Sequence, residues 1–429
     1  MNETTTTGVP TRECGCPEFE GLSRRSFLKL AAAAGALAGL VTEGLATRLA
    51  FAAAPYDGDV LVVLSLRGGF DGLQAIVPAG DPNYPLWRPG VGIPAGQLLQ
   101  LDSMFGMHPA MAPLKPLYDA GTLGVLHAVG MAQPNRSHFS AMEEMERAAP
   151  GTSIRTGWID RMLGLRDPGT PFQASQIGDG RPAFALSGPA PELAMYSVDS
   201  FGLDAAWDEE QRLLWEAALR GVHAGAPDAL ATPAGVALDA MATTAELQQV
   251  GYVPDPGASY PDTDLARALM DVARLIKADV GLQVAAVDYG DWDMHAGMGN
   301  VDNGWMHDHL TELSGSLAAF AADLGPKIAD VSLVTLTEFG RRVEENGSGG
   351  TDHGFGQVVL ALGGGVVGGQ VHGTWPGLAP EDLVDGDVNG TTDYRLFLAE
   401  VLEKRCGAGS VSSVFPGIGS ERPGVFNQR

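Results

Sequence analysis

Five apolar runs constrain this chain most: "DVLVVLSL" (59–66), "TLGVLHAVG" (122–130), "GLQVAAVD" (281–288), "VSLVTLTEF" (331–339) and "QVVLALGGG" (357–365). Runs of this length, rich in Val and Leu and closed by glycine or polar turns, read as strands buried on both faces. Residues 205–222, 263–279, 308–324 and 392–404 carry helical periodicity between or after them, and 226–248 is Ala-rich. Buried strands alternating with helices predict an α/β fold, a three-layer α/β/α sandwich around a mostly parallel sheet. At 429 residues and 45% hydrophobic content, the chain can bury a core of that size. Residues 175–260, rich in Pro and Gly at the edges and helical within, read as a candidate cap inserted into residues 53–429.

The first fifty residues read as an address. "LSRRSFLKLAAAAGALAGL" pairs Arg24 with Arg25, follows with Phe27, Leu28 and Lys29, and runs into Ala, Gly and Leu. This is the pattern of a twin-arginine export signal. Glu43 and Arg48 interrupt the apolar run, which is short for a membrane span. Ala50 and Ala52 supply a small-x-small cleavage pattern, which predicts a leader over residues 1–52 and a periplasmic, cell-envelope or extracellular mature protein, with an uncleaved membrane anchor as the alternative. The leader carries five bases and five acids, so the mature chain keeps the net charge of −25. That charge argues against nucleic acid as a partner. Cys14 and Cys16 leave with the leader, and Cys406 has no cysteine to pair with.

In open α/β sheets, ligands bind beyond the carboxyl ends of the strands, and the polar residues collect there. The first run ends at Arg67 and Asp71, and the second leads to Asn135, Arg136, Ser137 and His138. The third ends at Asp288, Asp291, Asp293 and His295. The fourth leads to Glu338, Arg341 and then "GGTDHGFGQ", which sets Asp352 beside His353 among glycines. His372 follows the fifth run. Three strand ends deliver carboxylates and two deliver histidine with them, the mixed donors that a divalent metal takes. The glycines around Asp352 and His353 let both side chains turn toward one ion. Ser137 is an N-cap candidate for the helix that follows, and Ser140 with Glu143 has capping-box spacing. Arg136, Arg67 or Arg341 would clamp an anionic group, and nothing in the sequence separates them. Glu338 reads as an orienting residue behind a metal ligand, with Arg341 beside it.

The motifs "LSLRGGFDGL", "RPGVGIP", "GMHPAMAPL", "RSHFSAMEEMERA", "GDWDMHAG", "TLTEFGRRVEENGSGGTDHG" and "GGQVHGTWPGL" resemble the family of domain of unknown function 1501. That family is placed in the alkaline phosphatase superfamily, with sulfatases and cofactor-independent phosphoglycerate mutases. The resemblance implies a mixed, mainly parallel sheet between helices, with two metals at its carboxyl edge. It implies Asp71 as the first-strand metal ligand and Ser137 as nucleophile. It further implies Asp352 with His353 as one ligand pair, His295 with Asp293 or Asp291 as another, and His372 as the last ligand. "RSHFSA" lacks the sulfatase Cys/Ser-x-Pro/Ala-x-Arg signature. The expected cofactors are one or two divalent ions (Zn, Mg, Mn or Ca). The expected function is a secreted metal-dependent hydrolase of phosphate or sulfate esters. Its partners would be a small-molecule or polymer ester and, during export, the twin-arginine translocase. A metal-binding envelope protein without catalysis and an accessory factor with the same fold are the rival readings.

Overall fold

A computed structural model describes residues 56–203 and 208–429. The segment read as an export leader, residues 1–52, lies outside them. The strands and helices that position the site run in chain order: β1 (Val60–Leu66), β2 (Leu123–Gly130), α1 (His138–Arg147), α2 (Trp158–Leu163), β3 (Ala174–Ile177) and β4 (Leu193–Met195). Next come α3 (Glu209–His223), α4 (Asp228–Val250), α5 (Asp264–Lys277), β5 (Val284–Tyr289), α6 (Trp305–Leu324) and β6 (Val331–Leu336). The chain closes with β7 (Arg341–Glu345), β8 (Thr351–His353), β9 (Gln357–Gly363), β10 (Val371–His372), β11 (Thr392–Asp393) and α7 (Tyr394–Lys404).

Among the described residues, nine strands form one sheet in the order β10-β2-β9-β6-β1-β5-β3-β4, with β11 beside the end of β2. β1 pairs in parallel with β5 and β6, and β3 with β5 and β4. β9 runs antiparallel to both β2 and β6. The sheet is therefore mixed and mainly parallel, with helices on both faces. The period of two along β1 shows this directly. Val62, Leu64 and Leu66 pack with Leu269 and Val272 of α5 and with Leu313, Leu317 and Phe320 of α6. Leu61 and Val63 belong to the opposite core, with Met145 of α1, Trp158 and Ile159 of α2, and Phe397 and Val401 of α7.

Local signals fix the helices. Thr263 caps α5, its hydroxyl accepting the Ala266 N–H at 3.3 Å, and Arg274 and Lys277 close the last turn beside the exposed carbonyls. α1 begins at His138 with Ser137 in the N-cap position, and the Ser137 side chain makes no cap bond. Ser140 lies inside the helix, where its hydroxyl accepts from Asn135 at 3.0 Å, so the capping box expected with Glu143 does not form at the helix start. The five expected strands all form.

The segment read as a candidate cap is divided. Its first part supplies β3 and β4, which extend the sheet beyond β5. At four residues (ASQI) and three (LAM), they are too short to show as apolar runs in the sequence. The chain divides into two compact units, one containing residues 56–202 and 236–429. Of the other, residues 203 and 208–235 are described, with α3 capped by the Asp208 carboxylate at the Gln211 N–H. No described helix is long and apolar enough to cross a membrane.

The start of β1 is tied to the end of α7 by a buried ion pair. Asp59, fully buried, accepts from Arg405 at 2.8 and 3.0 Å and from the Ser332 hydroxyl at 2.8 Å, and Arg429 also donates to it. Asp59→Ala leaves the Arg405 guanidinium buried without its partner, and stability should fall by about 3–5 kcal/mol. Urea denaturation checks this; an unchanged midpoint would show that the pair does not anchor the strand.

Candidate functional site

The parallel strands β1, β2, β5 and β6 all end at one edge of the sheet, and antiparallel β9 begins there. The loops leaving that edge bring together residues far apart in sequence. The β7–β8 hairpin, with Arg341 opposite His353 and Glu345 opposite Thr351, projects over the edge. Its docking explains the glycines around Thr351, Asp352 and His353. A Cβ on Gly350 would stand 2.4 Å from backbone atoms of Met294 and His295, and one on Gly354 would stand 2.3 Å from the Arg341 carbonyl carbon. The Thr351 N–H donates to the Met294 carbonyl at 3.1 Å and the Met298 N–H to the Gly349 carbonyl at 2.9 Å, locking hairpin to loop. Only a backbone without side chains at 350 and 354 approaches this closely.

On this frame the Nε2 atoms of three imidazoles converge on one carboxylate oxygen. His353 Nε2 lies 3.1 Å from Asp293 Oδ1, and His138 Nε2 lies 2.9 Å from His353 Nε2 and 3.4 Å from that oxygen. The donor atoms of His138, Asp293 and His353 all fall within 4.8 Å of one another. His295 joins from the other side, its Nε2 2.9 Å from His353 Nε2 and 3.1 Å from Asp293 Oδ1.

The outer nitrogens decide the tautomers. His353 Nδ1 meets the Arg136 carbonyl at 2.9 Å, and a carbonyl only accepts, so the neutral ring carries its proton on Nδ1. His138 Nδ1 meets Glu338 Oε1 at 2.7 Å, and His295 Nδ1 meets Asp352 Oδ1 at 2.9 Å. Each ring thereby turns an Nε2 lone pair inward, the arrangement in which histidines bind metals. Lone pairs at these separations repel unless a cation lies between them. Ligand atoms at the ~2.0–2.1 Å of a four-coordinate ion stand about 3.3 Å apart, close to the spacings found. His138, Asp293 and His353 thus have the donors and spacing of a three-residue metal site.

The surroundings hold the donors charged and fixed. Burial pushes the Asp293 carboxyl up in pKa, but Arg341, which donates to Oδ1 at 2.7 Å, and the His353 and His295 rings together outweigh it, and the group is held at about 2. Hydrogen bonds from His295 first and Asn346 second hold Asp352 below the usual carboxylate range. Asn346 also donates to the His295 carbonyl at 2.9 Å, so one amide fixes the ring and its acceptor.

Several residues expected to be ligands stand elsewhere. Asp71 is buried in an ion pair with Arg88 at 2.9 Å, which satisfies its charge without a metal. Asp352 supports His295 from behind. Asp291 lies in a turn at φ 65°, and Asp293 is the aspartate that reaches the cluster. His372 sits on β10 with Nε2 against the Val367 carbonyl at 2.7 Å. Arg136 gives its guanidinium to Asp387 at 3.0 Å and only its carbonyl to the site. Arg67 pairs with Glu146 at 2.8 Å and Asp288 at 2.9 Å. Glu338 stands behind His138, and Arg341 behind Asp293. Ser137 is exposed and precedes His138 in the chain. The residue that sequence reasoning missed is His138. It was visible beside Ser137, but its carboxylate partner lies 200 residues away, a distance that no local pattern spans.

Residues 208–397 match the family described as "Protein of unknown function (DUF1501)", so the family indicated by the motifs is the family of this segment. No curated protein matches the chain. Among solved structures, a sulfatase from Pseudoalteromonas sp. is similar at 12% identity over 82% of this chain and 68% of that one, with a TM-score of 0.31. A likeness that slight carries no chemistry across.

Gly350→Ala should cost about 1–3 kcal/mol by overpacking against the His295 backbone and displace the ligand loop. Gly347→Ala, in the same hairpin with nothing within 4 Å of its Cβ, should leave stability nearly unchanged. Equal effects of the two in urea denaturation would rule out close docking as the reason for glycine.

Proposed function

We propose that this protein is an exported, metal-dependent hydrolase of phosphate or sulfate esters whose centre is His138, Asp293 and His353, with His295 as a fourth donor. The observation that carries the metal is the convergence of His138, Asp293 and His353, whose donor atoms lie within 4.8 Å of one another, with His295 Nε2 2.9 Å from His353 Nε2. The ester class comes from the family resemblance. Three nitrogens and one carboxylate oxygen favour zinc over magnesium or calcium, which take oxygen ligands. A divalent ion there would polarise an ester oxygen and lower the pKa of a bound hydroxyl or water by several units.

The chain's own residues supply the rest. Glu338, Asp352 and the Arg136 carbonyl keep the rings oriented, and Arg341 keeps Asp293 ionised. Ser137 is our candidate nucleophile, because it adjoins His138 and its hydroxyl is not spent on capping the helix. One observation favours a second reading, a metal-binding envelope protein without turnover. Arg67, Arg136 and Arg341, the three candidate anion clamps, are all committed to carboxylates.

Zinc content and a panel of aryl phosphate and sulfate esters test both readings. The wild type should bind zinc and turn over at least one ester, and Asp293→Asn should lose both. Ser137→Ala should keep its zinc, stay within about 0.5 kcal/mol in stability and lose turnover. Zinc without turnover in the wild type would select the second reading; absence of zinc would remove both.

Export is proposed on the leader alone. Replacing Arg24 and Arg25 with lysines should stop translocation, as followed by fractionation. Normal amounts of the double variant outside the cytoplasm would contradict the assignment.

A further inference from the structure

We infer that the centre holds one ion, not two, and that the buried Arg88 guanidinium stands where a second cation would be needed. The inference rests on the metal reading above. The family resemblance implies two ions, with Asp71 among the ligands, and the residues present do not fit the second.

Asp71 has no coordination capacity left. Its Oδ1 accepts the Gln74 N–H at 3.1 Å and Arg88 Nη1 at 3.0 Å. Its Oδ2 accepts Arg88 Nη1 at 2.9 Å and the Thr351 hydroxyl at 3.0 Å. A carboxylate offers about four lone-pair positions, and four contacts from three donor groups fill them, Arg88 Nη1 reaching both oxygens. The cation already present is also immovable. Arg88 is 1% exposed and donates through Nε to the Val343 carbonyl at 3.0 Å and through Nη2 to the Arg342 carbonyl at 2.9 Å. An ion that took Asp71 would strand this guanidinium without its counter-charge in the interior, the expensive way to break a buried pair.

The other residues that would complete a second site are diverted too. His372 Nε2 faces the Val367 carbonyl, so that nitrogen carries a proton. Asp352 spends Oδ1 on His295 and Asn346. Asp71 and Arg88 act instead as a pin. Through the Arg342 and Val343 carbonyls and the Thr351 hydroxyl, they fasten both strands of the hairpin that carries His353 to the turn after β1.

The test is metal counting on the full chain as produced, loaded with zinc and desalted, for the wild type and Asp71→Asn. Asparagine keeps the side chain's size but not its charge. The inference expects one zinc per chain in both proteins, with lower stability in the variant. Two ions in the wild type, with one lost in Asp71→Asn, would overturn it while leaving the metal reading intact. No zinc in either would overturn the metal reading, and this inference with it. Should Asp71→Asn fail to fold, Thr351→Val removes one donor from Asp71 and serves as the second variant, with the same one-ion expectation.

Discussion

Arg341 is the group on which the arrangement depends. It is 2% exposed and donates to the carbonyls of Gly69 at 2.6 Å, Thr351 at 2.9 Å and Trp292 at 3.0 Å, to that of Gly68, and to Asp293 at 2.7 Å. One planar fork of donors therefore joins the turn after β1, the loop after β5 and the hairpin between β7 and β8. A guanidinium suits the position because its donors point in fixed, divergent directions and its charge is never lost. The cost of burying that charge is met by one carboxylate and four carbonyls. The same carboxylate faces the three imidazoles, so the element that closes the loops also keeps the oxygen donor ionised.

The layering follows from the sheet. Parallel strands deliver their carboxyl ends to one edge, and the antiparallel β9 adds its start there, which is why His353 arrives just before a strand while Asp293 and His295 arrive just after one. Each imidazole is then held by an acceptor from another segment: Glu338 from the loop after β6, Asp352 from β8, and the Arg136 carbonyl from the approach to α1. Orientation is supplied by groups that the ion itself would not touch.

Much of this was legible in the sequence, for identifiable reasons. The five central strands announce themselves because burial on both faces demands continuous apolar runs. The segments bearing Asp293, His295 and His353 stand at strand ends next to glycines, a pattern that local reading detects. Strands β3 and β4 escaped because four and three residues are too few to leave a recognisable apolar run. Asp71 looked like a ligand because its position after β1 suits one, and nothing nearby shows that Arg88, 17 residues on, folds back to neutralise it. His138 was passed over for its neighbour because its role depends on Glu338, and a ring's usable nitrogen is set by contacts that only the fold creates.

The most direct test of the account is anomalous diffraction at the zinc edge from crystals of the zinc-loaded protein. The account predicts one strong peak about 2.0–2.2 Å from His138 Nε2, His353 Nε2 and the Asp293 carboxylate, with His295 Nε2 turned toward it. No peak among these residues, or one coordinated by Asp71 in place of Arg88, would contradict it.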